Sequence, residues 1–262
     1  MATIGSLFSG IGGLELGLEW AGLGPVVWQC EIDPFCNAIL KKRWPGVLRW
    51  LDVRSHLCLP ATDIICGGFP CQDVSSAGKQ AGIKEGTRSG LWLEFAKIVE
   101  RVRPRFVIVE NVSSGKRGWL PQVRGDLHLL GYDTCPIEIS AADVGASHLR
   151  NRVFVIAHPY ADREFTVPEY AEVAGASTLV SDSLSTRREG SGVTEAGREA
   201  RARSASVHWG APVPDMVRVV HGVSAGMDRR RVAALGNSVV PQCAEVVGKI
   251  LLHFWPELAK VC

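Results

Sequence analysis

A thiol, a carboxyl group and two guanidinium groups stand at places where apolar runs of the chain end. Cys71 lies in Gly67-Gly68-Phe69-Pro70-Cys71-Gln72, behind one such run and ahead of the loop Ser75-Ser76-Ala77-Gly78. A free thiol has a pKa near ~8.5, so a small share is thiolate at neutral pH, and a nearby cation or helix N-terminus enlarges it. Glu110 ends the apolar run that begins at Phe106, in Glu110-Asn111-Val112. A thiolate beside a carboxyl group that can give or take a proton is a nucleophile and acid pair. Arg150 and Arg152 precede the run Val153 to Ala157, and their alternate spacing turns both to one side of an extended segment. Taken singly, Cys71 also reads as a buried structural thiol, Glu110 as a solvated strand end and the arginines as surface charges.

A second group of residues has the pattern of a nucleotide-like site. Ser9-Gly10-Ile11-Gly12-Gly13 joins a short apolar strand to a helix, and glycines let backbone approach a ligand closely. Glu31 lies 21 residues after Gly10, where such folds place a carboxylate for ribose hydroxyls, and Asp52 ends the following strand. The dinucleotide fingerprint G-x-G-x-x-G reads Gly10, Gly12 and then Glu15, so its third glycine is missing. A ligand with a ribose and no pyrophosphate, such as S-adenosylmethionine, fits better. A tight turn without a ligand remains the alternative.

These residues need a scaffold, and the first half of the chain supplies alternating elements. Strands are predicted at Ile4 to Phe8, Val26 to Cys30, Val47 to Leu51, Asp63 to Cys66, Phe106 to Val109, Tyr132 to Ile139 and Val153 to Ala157. Helices are predicted after Ile11, over Pro34 to Arg43 and over Leu91 to Val102, where Leu91, Phe95, Ile98, Val99 and Val102 share a face. Strand alternating with helix implies a parallel sheet covered on both faces. From Ser181 to Ser206 apolar periodicity vanishes, and a loop or disordered insert is expected. A last helix starts near Pro241, with Val247, Ile250, Leu251 and Phe254 facing a core.

Length and composition bound the rest. The 262 residues, 46% apolar and 21% charged, describe one large globular domain or one with a small second lobe. No apolar run reaches membrane-spanning length, and Met1 to Gly5 does not read as the start of a signal peptide. Eight cysteines without a C-x-x-C pair, and no histidine pair at zinc spacing, point to a reducing cytoplasm and to no metal site. Seven of them are expected to be packing residues, and Cys71 is the one assigned to chemistry. The net charge is only +2, yet Ser185 to Arg231 holds nine arginines against five acids. That excess suits a polyanion partner or an ordinary solvated face.

Together the motifs resemble the DNA (cytosine-5) methyltransferase family in its compact bacterial or phage form. The carrying residues are Phe8-Ser9-Gly10-Ile11-Gly12-Gly13, Gly68-Phe69-Pro70-Cys71-Gln72, Thr87-Arg88-Ser89-Gly90-Leu91-Trp92, Glu110-Asn111-Val112, Arg150-x-Arg152 and Gly236-Asn237-Ser238-Val239-Val240-Pro241. They occur in the family's order. The resemblance implies a Rossmann-like, doubly wound α/β sheet that binds S-adenosylmethionine and carries a small inserted target-recognition lobe. The implied division is 1–158 for the first part of the catalytic domain, 159–225 for the lobe and 226–262 for the segment that completes the domain. By the same resemblance Phe8 to Gly13 line the methionine part of the cofactor. Glu31 holds the ribose, Ile32 lies against the adenine, and Asp52 reaches the adenine amine. Val53, Pro70, Leu91, Asn237 and Ser238 complete the cofactor wall.

The implied chemistry is methylation of cytosine C5. The Cys71 thiolate adds to C6, Glu110 contacts N3 and the exocyclic amine, Arg152 contacts O2, and Arg150 supports the loop and the activated ring. The base must leave the duplex to be reached. The implied partner is double-stranded DNA, bound by a monomer, with a cognate restriction endonuclease or none beside it. Alternatives are C5 methylation of tRNA, an oxidoreductase using nicotinamide or flavin on the same sheet, and a DNA-binding relic without activity. The sequence departs from the family at His148, where glutamine is frequent, at Val74, where a larger apolar residue is usual, and in the short, apolar-poor stretch from Pro159 to Val223.

Overall fold

The computed structural model describes residues 2–55, 58–70, 90–160 and 225–259. Strands β1 (Ile4–Leu7), β2 (Val26–Cys30), β3 (Leu48–Trp50), β4 (Ile64–Gly68), β5 (Phe106–Val112), β6 (Tyr132–Ser140) and β7 (Asn151–Pro159) form one sheet. Their order is β3-β2-β1-β4-β5-β7-β6. The first five strands pair in parallel, whereas β7 runs antiparallel to both β5 and β6. The parallel sheet expected from the alternating pattern is therefore mixed at one end. Only the short stretch 141–150 joins β6 to β7, too little for the crossover that parallel neighbours require.

Alternation along the strands creates two cores. Ile64, Cys66, Phe106 and Ile108 face one side of the sheet, and Ile65, Val107 and Val109 face the other. Helices α1 (Gly13–Trp20), α2 (Pro34–Arg43) and α6 (Pro241–Phe254) cover the first side through Leu14, Leu18, Leu40, Val247, Ile250 and Leu251. Helices α3 (Leu91–Val102) and α4 (Lys116–Leu129) cover the second through Trp92, Phe95, Ile98, Trp119, Val123 and Leu127. Trp28, Trp92 and Trp119 are fully buried. Each such large side chain contributes on the order of 2–3 kcal/mol. A side chain at Gly17 would meet the Pro241 carbonyl at 2.1 Å, so α1 and α6 approach backbone to backbone.

Local signals explain the boundaries. Asp33 caps α2 by accepting from the Cys36 amide, Pro34 opens the helix, and Lys41, Lys42 and Arg43 close it, as the helix dipole favours. Arg103 ends α3 in a left-handed conformation, with Pro104 next. Two helices do not show in the pattern. Gly118, Pro121 and Gly125 interrupt α4, yet Trp119, Val123 and Leu127 recur every four residues and bury against the sheet. Helix α5 (Ala225–Asn237) carries almost no core face, and Arg230 to Ala233 are exposed. Of the cysteines expected as packing residues, Cys30, Cys36, Cys66, Cys135 and Cys243 are buried, but Cys58 is exposed. Cys262 lies outside the described residues.

The strand order reverses at β1. From β1 the chain goes outward to β2 and β3, then returns to place β4 on the other flank. Open α/β sheets form a ligand crevice at the carboxyl ends of the two strands beside such a reversal. Here that crevice opens between the residues after Leu7 and those after Gly68.

Candidate active site

Strand β1 ends in a turn held from below. Phe8 adopts φ 54°, an unusual value for a side chain that bulky, and Gly10 and Gly12 follow at 56° and 84°. The Ser9 amide donates to the Cys30 carbonyl at 3.2 Å, and Gly12 donates to the Ser9 carbonyl at 2.9 Å. Glu31, just beyond β2, receives the Gly10 amide on one oxygen at 2.7 Å and the Asp33 amide on the other at 2.8 Å. Each carboxylate oxygen keeps a further lone pair for a ligand hydroxyl. Ile32, beside it, is 67% exposed, a large apolar side chain with room for a flat partner.

The remaining predicted cofactor residues divide. Asp52 stands beyond β3 and pairs with the Arg54 guanidinium at 2.6 Å. Val53 turns inward and joins the core on the α3 side. Leu91 opens α3 and packs partly against the same core. Asn237 ends α5 and is exposed, while Ser238 is half-buried. A side chain on Gly13 would meet the Val239 carbonyl at 2.2 Å and the Ser238 hydroxyl at 2.7 Å. The segment before α6 thus lies directly on the start of α1, and Phe8 to Gly13, Glu31, Asn237 and Ser238 gather at one sheet edge. Ile11 belongs to this turn and is half-buried.

The second cluster stands at the end of β5. Glu110 pairs with Gly68 in the register of β4 and β5, and with Phe154 across β7. Its side chain is 9% exposed, and the Arg152 guanidinium lies 2.7 Å from Oε1. That contact joins opposite charges without hydrogen-bond alignment, so Oε1 is buried with no aligned donor. Burial pushes the Glu110 carboxyl up to about 7, against the pull of Arg152 and Arg150. An acid so placed exists in both protonation states near neutral pH.

Arg150 and Arg152 do not act as a matched pair on one extended segment. Arg150 sits before the strand with φ 32°, which breaks the extension. It donates to the carbonyls of Gly236 at 2.7 Å and Ser238 at 2.6 Å. Arg152 alone reaches Glu110. One arginine therefore ties down the segment that closes on Gly13, and the other faces the acid.

Cys71 and Gln72 lie outside the described residues, as do Thr87, Arg88 and Ser89. The approach to Cys71 is described as far as Pro70. The Asn111 side chain donates to the Phe69 carbonyl at 3.2 Å, and its own oxygen receives the Val112 amide at 2.8 Å. Phe69 packs on Trp92 and Trp119, with ring centroids 5.6 and 5.9 Å apart. Asn111 was legible as part of a motif, but its bracing role was not. The available signal was an amide side chain at a strand end beside a Gly-Gly-Phe-Pro loop. The buried thiols are poor competitors for the nucleophile's role. Burial pushes Cys30, Cys36 and Cys243 to about 12 and Cys66 well above the usual thiol range. Among the described residues no group of three His, Cys, Asp or Glu side chains is placed to hold a metal.

A family model for the C-5 cytosine-specific DNA methylase matches residues 2–195. The chain belongs to this family. The type II methyltransferase M2.BsuMI of Bacillus subtilis (strain 168) is 37% identical over 167 residues, covering 60% of this chain and 42% of that protein. The type II methyltransferase M.HgiBI of Herpetosiphon aurantiacus is 34% identical over 175 residues, covering 63% and 40%. The match therefore spans about two fifths of these relatives' length. A solved DNA modification methyltransferase encoded within a prophage (E. coli) is 27% identical with TM-score 0.52, covering 68% of this chain and 52% of its own. The S. pombe Dnmt2 methyltransferase shares the fold at TM-score 0.62 and 17% identity, covering 97% and 99%. The mixed α/β sheet is thus the methyltransferase fold of this DNA methylase family.

Proposed function

We propose that this C-5 cytosine methylase family member moves the methyl group of S-adenosylmethionine to C5 of cytosine in double-stranded DNA. The observation that carries the reading is the register of Glu110 with Gly68. It sets a half-ionised acid, with Arg152 against it, beside the strand that leads through Phe69 and Pro70 to Cys71.

Cytosine C5 is a weak nucleophile while the ring is aromatic. A Cys71 thiolate adding to C6 breaks that aromaticity and makes C5 enamine-like. Glu110, in its protonated form, donates to N3 as the adduct forms, so the negative charge entering the ring is neutralised. Arg152 reaches O2 and holds the ring against the acid, which places a cation where charge develops. Asn111 braces the Phe69 carbonyl and so fixes the loop that carries the thiol. Once C5 has taken the methyl group, a base removes the C5 proton, that electron pair forms the C5–C6 double bond as the Cys71–C6 bond breaks and the thiolate leaves, and N3 returns its proton to Glu110.

S-Adenosylmethionine supplies an electrophilic methyl group when bound. The residues fit it better than a dinucleotide. Glu31 offers lone pairs to a ribose diol, Ile32 offers apolar surface to a purine, and Asp52 lies at the next strand end. Glu15 fills the place of the third fingerprint glycine with a buried acid, which disfavours a pyrophosphate on the α1 N-terminus. Residues 1–158 and 226–262 form the catalytic unit in this reading, and 159–225 form the recognition lobe. Double-stranded DNA is the partner of a monomeric enzyme in the cytoplasm. A cognate restriction endonuclease accords with the type II names of the relatives. Among the described residues no helix is long and apolar enough to cross a membrane.

The test is transfer of labelled methyl to duplex DNA and, in parallel, to tRNA. Label is expected in DNA, with transfer abolished by Cys71→Ser. Transfer that survives the substitution removes Cys71 from the chemistry, and label in tRNA alone overturns the choice of substrate.

A further inference from the structure

A carboxyl group lies beneath the cofactor turn without exposure and without a cation. Glu15 occupies the first turn of α1, and its side chain is wholly buried. Around it stand Ser6 on β1, Ser9 in the turn and Gln29 on β2, themselves buried. Cys66 on β4 is the one other titratable group set against it among the described residues, and it is a neutral thiol at ordinary pH. From α6 the neighbours of α1 at Gly17 are Ala244 and backbone, and Lys249 of that helix is taken by Glu245. An ionised carboxylate so placed would face a desolvation cost that the hydrogen bonds of Ser6, Ser9, Gln29 and its own backbone offset only in part.

The hydrogen bonds show how that cost is avoided. The Gln29 amide nitrogen donates to Glu15 Oε1 at 3.4 Å, so the acid and the amide lie side by side. The two atoms of this pair left without partners are Glu15 Oε2 and Gln29 Oε1, both of which are acceptors when the acid is ionised. One proton on Glu15 turns Oε2 into a donor, and Gln29 Oε1 is the acceptor that lacks one. An acid and an amide then satisfy each other with two antiparallel hydrogen bonds. On the other flank Ser9 Oγ donates to Ser6 Oγ at 2.9 Å, and both hydroxyls lie within hydrogen-bonding reach of the Glu15 carboxyl. The line Ser9, Ser6, Glu15, Gln29 ties the cofactor turn to the second strand.

We propose that Glu15 is a positioning residue of the cofactor turn, held as a neutral carboxylic acid paired with the Gln29 amide and linked through Ser6 to Ser9. The link to binding rests on the reading that Phe8 to Gly13 hold S-adenosylmethionine. In this arrangement the acid touches no ligand. It fixes the seat of Ser9, and its ionisation breaks both the pair and the line. Cofactor affinity therefore falls as rising alkalinity removes the proton.

Two readouts test this. Infrared difference spectra of ligand-free protein, wild type minus Glu15→Gln, are taken near pH 8, where Glu110 is mostly ionised. They are expected to show the carbonyl band of an un-ionised carboxylic acid, and an ionised carboxylate signal in its place overturns the proposal. Binding of S-adenosylhomocysteine is then measured by calorimetry across alkaline pH. Glu15→Gln, which still offers a donor and an acceptor, is expected within about threefold of wild type at neutral pH and flat above it. Ser6→Ala, which removes the hydroxyl shared by Ser9 and Glu15 while leaving the acid in place, is expected to bind about tenfold more weakly and to keep the band. Wild-type affinity that stays level with pH, or an unaffected Ser6→Ala, sinks the positioning role. If wild type does not bind S-adenosylhomocysteine, the cofactor reading has failed, and the infrared band alone decides the state of Glu15.

Discussion

Replacing Glu110 by glutamine changes how stability depends on pH. Burial lifts the folded-state pKa of Glu110 from 4.5 to about 7, so the native protein holds a proton there that the unfolded chain has already lost. Between those two values the folded state binds more protons than the unfolded state, and stability declines as pH rises. Integrated from about pH 5 to about pH 8, the displacement amounts to roughly 2–3 kcal/mol. Glutamine removes the titration and keeps the shape. Urea unfolding of wild type and Glu110→Gln at the two pH values isolates the effect, because the other titrating groups cancel in the difference. Wild type should lose that amount relative to the variant on going to pH 8. A difference that stays constant with pH, or moves in the opposite direction, refutes the account of Glu110 as an acid whose burial outweighs its arginine.

Two further substitutions probe the cofactor side. Gly13→Ala places a methyl group where the Val239 carbonyl stands 2.2 Å away, and backbone must move to admit it. A loss of about 1–3 kcal/mol in unfolding free energy is expected, with weaker S-adenosylhomocysteine binding in calorimetry. Arg150→Lys keeps the charge but draws it back from the Gly236 and Ser238 carbonyls, which one guanidinium nitrogen, Nη2, reaches together. Its KM for S-adenosylmethionine should rise more than its kcat falls, whereas a direct role on the ring would show chiefly in kcat.

Much of the scaffold was legible because buried parallel strands are continuous apolar runs. Ile64 to Cys66 and Phe106 to Val109 read directly, and so did the acids at their neighbours' ends. Glu31 and Glu110 were found by position alone, since a carboxylate at a strand end is a local feature. The direction of β7 was not legible, because it depends on which strand it pairs with rather than on its composition. Helix α4 was hidden by Pro121 and two glycines, whose intrinsic penalties are outweighed by the burial of Trp119, Val123 and Leu127. Within the site, charge and spacing could not reveal that Arg150 faces away from Arg152's partner. That depends on a backbone turn at one residue. Glu15 looked like a missing glycine, and its depth became visible only when β1, β2 and β4 were placed around it.

The contact between α1 and α6 also orders events in time. Helix α1 is made long before α6, yet each covers apolar surface of the other, and the Ser238-Val239 segment closes on Gly13. During synthesis the turn, Glu31 and the strands β1 and β2 emerge early, and Leu14 and Leu18 lack their α6 neighbours until that helix leaves the ribosome. Closing that contact spans nearly the whole chain, which makes it a slow, late step. A nascent chain without α6 thus lacks the segment that closes on Gly13. If this turn seats the methyl donor, as proposed, donor binding waits for α6.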